Sequence, residues 1–506
     1  MPAAQAPEGS RLTTQVVKGS IWTLAGQIAP LGVSLITTPI VIRLLGAESY
    51  GVLVLFVIIP QYLYFADFGM SLASTKFGSA AFAAGDRPKE AGVVRLAALI
   101  SLLVSIPVAA LLAIFAAQAA LLFNVPERLL AETTMALRFV AATLPLTLLG
   151  IIFNSPLLAR LRMDLHTLVA SGSRILGMIA IPIAIYFGFG LVGAAVVLFA
   201  AAALNVVGQL ALSAFLLPEM LGLSLDRRSL PQLTRFGASM CIAAVAAMAL
   251  VNLEKGGLSA LSSVTQLAYY SVAFSLAAVL TFASGAMQQS LIPVFSQLQG
   301  AEQEAERNRI FSRAIRMMLL AMLPFVGLAG VIAETGITLF AGEEFGREST
   351  LPFYVLLSGI TFMIATYTPS AAIIASGRTE LFARLYWLEL PPYALLVWIL
   401  VSRYGAVGAA AAWSTRAAVD SILQFQIAQR FSGVHFDLQR RSAALVAGVI
   451  AAVPFVLYLV FGLGLFGGLL ASAVGMAVYA VFVWRFALLA EEKAWFIERS
   501  RGFQGL

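Results

Sequence analysis

Apolar runs of about twenty residues follow one another along almost the whole chain, and no other feature limits the fold so strongly. A membrane-spanning helix needs roughly 20 mostly apolar residues. Such runs stand near 19–42, 50–73, 94–118, 136–159, 168–187, 191–216, 233–252, 265–288, 314–334, 351–375, 383–402, 406–428, 443–461 and 464–488, about fourteen in all. Of the 506 residues 60% are hydrophobic and only 11% are charged, where soluble proteins carry about 25% charged residues. An all-α membrane protein of about fourteen transmembrane helices is expected. Connections are short and leave no room for a sizeable soluble domain. The longest polar stretch, "SQLQGAEQEAERNRIFSRAIR" (296–316), reads as an amphipathic helix on the membrane surface.

The polar start "MPAAQAPEGS" leads into no short apolar core with a cleavage site, so a retained N-terminus is expected. The single cysteine, Cys241, rules out an intramolecular disulfide. A net charge of +7 would point a soluble chain toward nucleic acid. In a membrane protein its distribution across the bilayer matters instead, and no nucleic-acid partner is expected.

With the N-terminus cytoplasmic, the N-terminal tail, the even-numbered loops and the C-terminus hold 24 of the 32 Lys and Arg residues. Outer loops and mouths hold six, and Arg174 and Arg416 remain inside helices. The positive-inside rule then sets both termini in the cytoplasm. The chain also repeats itself. "FGLVGAA" (189–195) recurs as "YGAVGAA" (404–410), and "LLARLRMDL" (157–165) aligns with "IIASGRTEL" (373–381) at nearly the same offset. Two six-helix lobes in parallel orientation are expected, an architecture of transporters with the binding site between the halves. The divisions are a cytoplasmic tail over 1–18, an N-lobe over 19–217 (helices 1–6) and a C-lobe over 218–430 (helices 7–12). Helices 13 and 14 follow over 431–490, then a cytoplasmic tail over 491–506.

Some motifs carry no chemistry here. Asp67-Phe68-Gly69 matches a kinase metal-binding tripeptide but has no catalytic loop before it. "GLGLFG" (462–467) follows a spanning helix where the dinucleotide pattern requires a strand. His166 and His435 have no metal-ligand or triad neighbours. No catalytic residue, metal site or cofactor is expected.

The N-terminal 90 residues are more specific. "KGSIWTLAGQIAPLGVSLITTPIVIRLLGAESYG" runs on to "DFGMSLASTKFGSAAFAAGD". This segment resembles the polysaccharide-transporter family, the Wzx-type flippases, in Gly19-Ser20, Trp22, Pro39, Arg43, Leu45-Gly46, Tyr50-Gly51, Asp67-Phe68-Gly69, Lys76 and Gly85-Asp86. That family shares a superfamily with multidrug exporters and peptidoglycan-precursor flippases. The resemblance implies an inner-membrane flippase for an undecaprenyl-pyrophosphate-linked oligosaccharide, an O-antigen, capsule or exopolysaccharide repeat unit. It implies transfer from the cytoplasmic to the periplasmic leaflet by rocking of two lobes around a central cavity. Partners would be the lipid-linked oligosaccharide, membrane lipid, a polysaccharide polymerase and other biosynthesis proteins.

Such a cargo needs cations for its pyrophosphate, and arginine offers planar bidentate pairing. Arg174, two turns inside helix 5, is too deep for easy snorkelling and is either a cavity cation or one half of a structural pair. Arg416 lies mid-helix with Asp420 four residues on, a spacing that permits an intrahelical pair, structural or functional. Arg43 ends helix 1 and Arg138 starts helix 4, both near the outer mouth, where capping and snorkelling are the plain alternatives. These four are the substrate-binding candidates. Asp67, Asp420, Glu389 and Lys76 are the candidates for gating or for coupling to H+ or Na+. Asp67 and Lys76 are about 13 Å apart on a continuous helix, too far to pair, which leaves Lys76 at the cytoplasmic interface. Glu389 sits in "LELPPY" (388–393), whose two prolines are expected to break helix 11. Pro30 and Pro39 in helix 1 and Pro60 in helix 2 are candidate flexing points.

Two other functions compete. An ion-coupled exporter of small organic molecules would expect acidic residues in its pocket. A polymerase or glycosyltransferase would need a sizeable catalytic loop or paired carboxylates, and no outer loop here exceeds about 20 residues.

Overall fold

The helices that the apolar runs demand are present, and two of them reverse direction within one continuous stretch. The computed structural model describes residues 8–222, 227–298, 301–378, 380–435, 441–490 and 492–493. Residues 1–7 of the expected N-terminal tail, and most of the expected C-terminal tail, lie outside this set. The described residues contain no strand. The chain divides into two compact units, Met1–Ala268 and Tyr269–Leu506.

The first unit holds α1 (Glu8–Tyr62), α2 (Met70–Ala83), α3 (Arg87–Ile114), α4 (Ala116–Leu122), α5 (Glu127–Phe153), α6 (Ser155–Ala159), α7 (Met163–Tyr186), α8 (Gly190–Leu216) and α9 (Leu230–Leu261). Helix α10 (Val264–Ala278) leads into the second unit. That unit continues with α11 (Phe282–Gln297), α12 (Glu304–Ala341), α13 (Glu343–Ala375), α14 (Glu380–Phe431), α15 (Arg441–Phe461) and α16 (Leu465–Phe482). Among the described residues, ten helices are long and apolar enough to cross a membrane. The chain is an all-helical, multi-pass membrane protein.

Helices α1 and α14 each contain a hairpin. On a straight α1, Ser34 and Val57 would stand about 35 Å apart, yet both line one cavity of about 460 Å³. The reversal falls at Gly46, whose φ of 73° and ψ of 171° are not helical. In α14 the turn is at Gly405, with φ 51° and ψ −128°. Such backbone is accessible to glycine because it lacks a Cβ.

Three expectations need correcting. The second apolar run is not one helix through Asp67. After α1 a 3₁₀ turn spans Leu63–Asp67, and then Phe68 (φ 51°) and Gly69 (φ 69°) take left-handed backbone before α2 begins. Conversely, Pro391 and Pro392 do not break their helix, because α14 runs through them. Proline's fixed φ suits a helix, and the loss falls on the carbonyls of Trp387 and Leu388, four residues earlier. Finally, the stretch from Glu304 onward is no separate surface helix. It is the first part of α12, whose 38 residues extend about 57 Å against a hydrocarbon core of about 30 Å. Arg307 and Arg316 are buried along it.

The two repeated sequence motifs also match in backbone. Gly190 and Gly405, paired by the first motif, have φ of 52° and 51°. Leu161 and Gly377, paired by the second, have φ of 55° and 74°.

Each unit has its own core. In the first, Met70, Val93, Val94, Ala97, Ile152 and Leu233 pack together. In the second, Phe295, Phe311, Ile315, Ile373 and Ala428 do so. Helices α15 and α16 dock on α12 through Leu320, Ala447, Ala451 and Tyr479, whose hydroxyl donates to the Leu320 carbonyl at 2.6 Å. Helix α9 packs on α1 and α2 within the first unit. Its C-terminal half is held by polar contacts. Asn252 Nδ2 donates to Gln61 Oε1 at 3.0 Å, and Asn124 Nδ2 donates to the Ala260 carbonyl at 2.7 Å.

Candidate functional site

Among the described residues, three polar places hold candidates named from sequence, two in the first unit and one in the second.

The first is the cavity of about 460 Å³ enclosed by both arms of α1 with α5, α7 and α8. Most of its wall is apolar, but Ser34, Thr37, Thr38, Tyr50 and Asn205 bring hydroxyl and amide groups. Arg174 lines it from α7, about 16 Å along the axis from the helix start. It makes no ion pair or hydrogen bond with another described residue. A guanidinium at such depth is costly unless a cavity, water or an anion receives it. Ser34 and Thr37 donate to the carbonyls of Leu31 and Val33 in their own helix, while the Asn205 Oδ1 has no hydrogen-bond partner.

The second place is the interruption after Asp67. The buried Asp67 carboxylate accepts the Ser71 amide at 3.2 Å and the Ser71 hydroxyl at 2.7 Å, so it caps the start of α2. A carboxylate is favoured there because the first turn of a helix leaves amides unsatisfied. Helix α9 seals the break from outside. A Cβ on Gly237 would stand 2.3 Å from the Phe68 carbonyl oxygen, so only glycine permits this approach. One turn on, the Cys241 thiol donates to the Phe65 carbonyl at 3.5 Å. Lys76 does not pair with Asp67. Its ammonium sits over the Phe236 ring of α9 at 4.4 Å from the centroid, a cation–π contact.

The third place is in the second unit. Across the Gly405 hairpin, Arg416 Nη1 lies 3.7 Å from Glu389 Oε2, and the guanidinium stands 5.3 Å from the centre of the Tyr393 ring. Asp420 approaches the same pair. Both its oxygens accept from Gln424 Nε2 at 2.9 Å, and Ser370 on α13 donates to Gln424 Oε1. Two carboxyl groups therefore share one guanidinium in the interior of this unit.

Of the eight residues singled out by sequence, Glu389, Arg416 and Asp420 come together, and Arg174 and Asp67 each line a cavity. Lys76 is held at an aromatic face. Arg43 and Arg138 are exposed, the first three residues before the Gly46 turn and the second on α5. Sequence inspection passed over Asn205, Asn154, Gln424 and Tyr393. Asn205 and Gln424 were detectable as amides within long apolar runs, where Gln209, Gln426 and Gln429 stand nearby in the same helices. Glu132 was also missed. Its Oε1 accepts the Leu191 amide at 2.5 Å and so caps α8 from the neighbouring α5.

Comparison with known proteins places these features in a family. The family model described as "Polysaccharide biosynthesis protein" matches residues 16–299, more than half of the chain. A Shigella flexneri protein named as an O-antigen transporter is 22% identical over 425 residues, covering 83% of this chain and 99% of its own. The succinoglycan biosynthesis transport protein ExoT of Rhizobium meliloti is 23% identical, covering 77% of this chain and 72% of its own. Among solved structures, the lipid II flippase MurJ in an inward closed conformation superposes with a TM-score of 0.69 at 14% identity, over 92% of this chain and 98% of that one. That likeness concerns the fold. The chain therefore belongs to the polysaccharide biosynthesis protein family, as an all-helical membrane protein with a MurJ-like fold.

Proposed function

We propose that this protein moves an undecaprenyl-pyrophosphate-linked oligosaccharide from the cytoplasmic to the periplasmic leaflet of a bacterial inner membrane. The observation that carries the reading is Arg174, a membrane-depth guanidinium lining a roomy cavity with hydroxyl and amide groups around it. A pyrophosphate would meet the guanidinium in bidentate fashion. The first sugar would meet the hydroxyls, Asn205 and the Tyr50 ring, and the lipid tail would remain in the bilayer. Family membership and the transporter names of the relatives support the same cargo class. The protein acts by alternating access and makes or breaks no covalent bond.

In this reading the hairpins at Gly46 and Gly405 each count as two spans, which with α9 and α15 gives fourteen. Residues 19–217 and 218–430 are the duplicated lobes. The matched left-handed residues Gly190 and Gly405, and Leu161 and Gly377, support the duplication. Cytoplasmic termini follow from the distribution of Lys and Arg. The Glu389–Arg416–Asp420 cluster serves as a gate, and Arg43 and Arg138 guide the anionic head at the outer mouth. Leaflet translocation of a lipid-linked oligosaccharide by the purified protein tests the proposal.

A further inference from the structure

Two interrupted helices meet in the first unit, and their interruptions face one cavity. One is the left-handed pair Phe68–Gly69 between the 3₁₀ turn and α2. The other is Asn154, where α5 ends and α6 begins. Asn154 closes the second break through its own carbonyl, which accepts the amides of Leu157 at 3.0 Å and Leu158 at 3.1 Å. A buried hydrogen bond of 2.8 Å between the hydroxyls of Ser74 and Ser155 ties the two breaks together. The cavity between them is about 350 Å³ and is lined by Asp67, Asn154, Tyr64, Ser71, Thr75 and Cys241 among apolar neighbours.

Charge in this cavity is unbalanced. Asp67 is 3% exposed and Asn154 is 6% exposed. The donors that reach Asp67 are neutral and come from Ser71 alone, and no cationic side chain among the described residues pairs with it. The nearest lysine along α2, Lys76, is committed to Phe236. The titratable groups facing Asp67 are Tyr64 from its own segment and Cys241 from α9. Helix α5 with α6 contributes Ile151, Asn154 and Leu158, and Val104, Val108 and Ala109 of α3 pack in one cluster with Tyr64 and Ala66. None of these carries positive charge. The Oδ1 of Asn154 is buried without a hydrogen-bond partner. A buried carboxylate without a counter-charge, beside a buried amide oxygen without a donor, is costly until a cation satisfies both.

We propose that this cavity is a binding site for one monovalent cation, held by Asp67 and Asn154: Na+, or a proton taken up on the Asp67 carboxyl. Interrupted membrane helices expose backbone and polar groups suited to such ions. The volume accommodates an ion with several of its waters, at about 30 Å³ each. Binding there would brace α2 against α6 and so set the stiffness of the surface on which Gly237 and Cys241 of α9 rest. The proposal rests on the transporter reading for its purpose, but its test does not involve the glycolipid.

The purified full-length protein in lipid nanodiscs is the sample, with Na+ alone as the probe. Its Tm is followed as NaCl replaces N-methylglucamine chloride at constant ionic strength and fixed pH, and separately as pH is varied without sodium. A saturable rise in Tm with sodium in the wild type, absent in Asp67→Asn, identifies Na+ as the ligand. Asn154→Ala should then shift half-saturation by about tenfold, as expected for one lost ligand. No sodium response, with a pH response that differs between wild type and Asp67→Asn, identifies the proton. Identical sodium and pH responses in the two proteins overturn the proposal. Should Asp67→Asn not fold, unchanged responses in Asn154→Ala overturn it equally. Loss of this site would leave glycolipid transport to be judged separately, and failure of transport would leave the ion response standing.

Discussion

Arg416 and Glu389 form an ion pair, 3.7 Å apart, from opposite arms of the Gly405 hairpin. On a straight helix they would be about 40 Å apart. The pair therefore locks the hairpin closed, with Tyr393 beneath the guanidinium and Asp420 alongside. Removing one partner of a buried pair leaves an uncompensated charge and costs roughly 3–5 kcal/mol. Arg416→Ala should lower Tm by an amount in keeping with such a loss, and Glu389→Gln combined with Arg416→Gln should recover much of it. An Arg416→Ala protein as stable as wild type would show that the pair does not hold the hairpin.

The approach of α9 to the helix break depends on the missing side chain at Gly237. A methyl group there meets the Phe68 carbonyl oxygen, which belongs to backbone and cannot rotate away. Gly237→Ala should destabilise the protein by roughly 1–3 kcal/mol, the usual range for overpacking. Cys241→Ser, which keeps a donor for the Phe65 carbonyl, should be close to neutral. The comparison of the two melting curves checks this, and equal stability in both variants would contradict the packing argument.

Arg174 should matter to binding and not to folding, because it has no partner to lose among the described residues. Arg174→Ala should weaken binding of a lipid pyrophosphate by roughly ten- to a hundredfold, as for a lost charge-assisted contact. Arg174→Lys should recover part, since an ammonium lacks the bidentate fork. Isothermal calorimetry on protein of unchanged Tm makes the measurement. A fall in Tm with unaltered affinity would assign Arg174 to the scaffold.

Topology follows from the placement of Lys and Arg. Reporter fusions after residues 90, 228 and 305, and at the C-terminus, should report cytoplasm, and fusions near 128 and 345 should report periplasm. A periplasmic C-terminus would mean that one of the two hairpins had been misassigned.

Sequence and structure agree where one physical rule dominates and part where two compete. Apolar length alone specifies the membrane helices. The break beside Asp67 was less visible, because "DFGM" sits in an apolar run and only Gly69 hints at left-handed backbone. The prolines at 391 and 392 misled in the other direction, since a helix braced by neighbours tolerates them. Charges were easy to find, but their partners were not. Arg416 has Asp420 one turn away in sequence, whereas the partner at ion-pair distance, Glu389, reaches it only through the hairpin. Asn154 is an ordinary residue until the Ser74–Ser155 contact brings its helix end to the other break.

The most direct test of the account is leaflet translocation in proteoliposomes. Purified protein is reconstituted with a lipid-pyrophosphate-linked oligosaccharide, and accessibility of the glycan to an externally added glycosidase is followed with time. The account predicts that wild type exposes glycan initially on the inner leaflet, that empty liposomes do not, and that Arg174→Ala slows exposure about tenfold or more at equal protein incorporation. Wild-type liposomes that expose glycan no faster than empty ones, with correctly folded protein in the membrane, would contradict it.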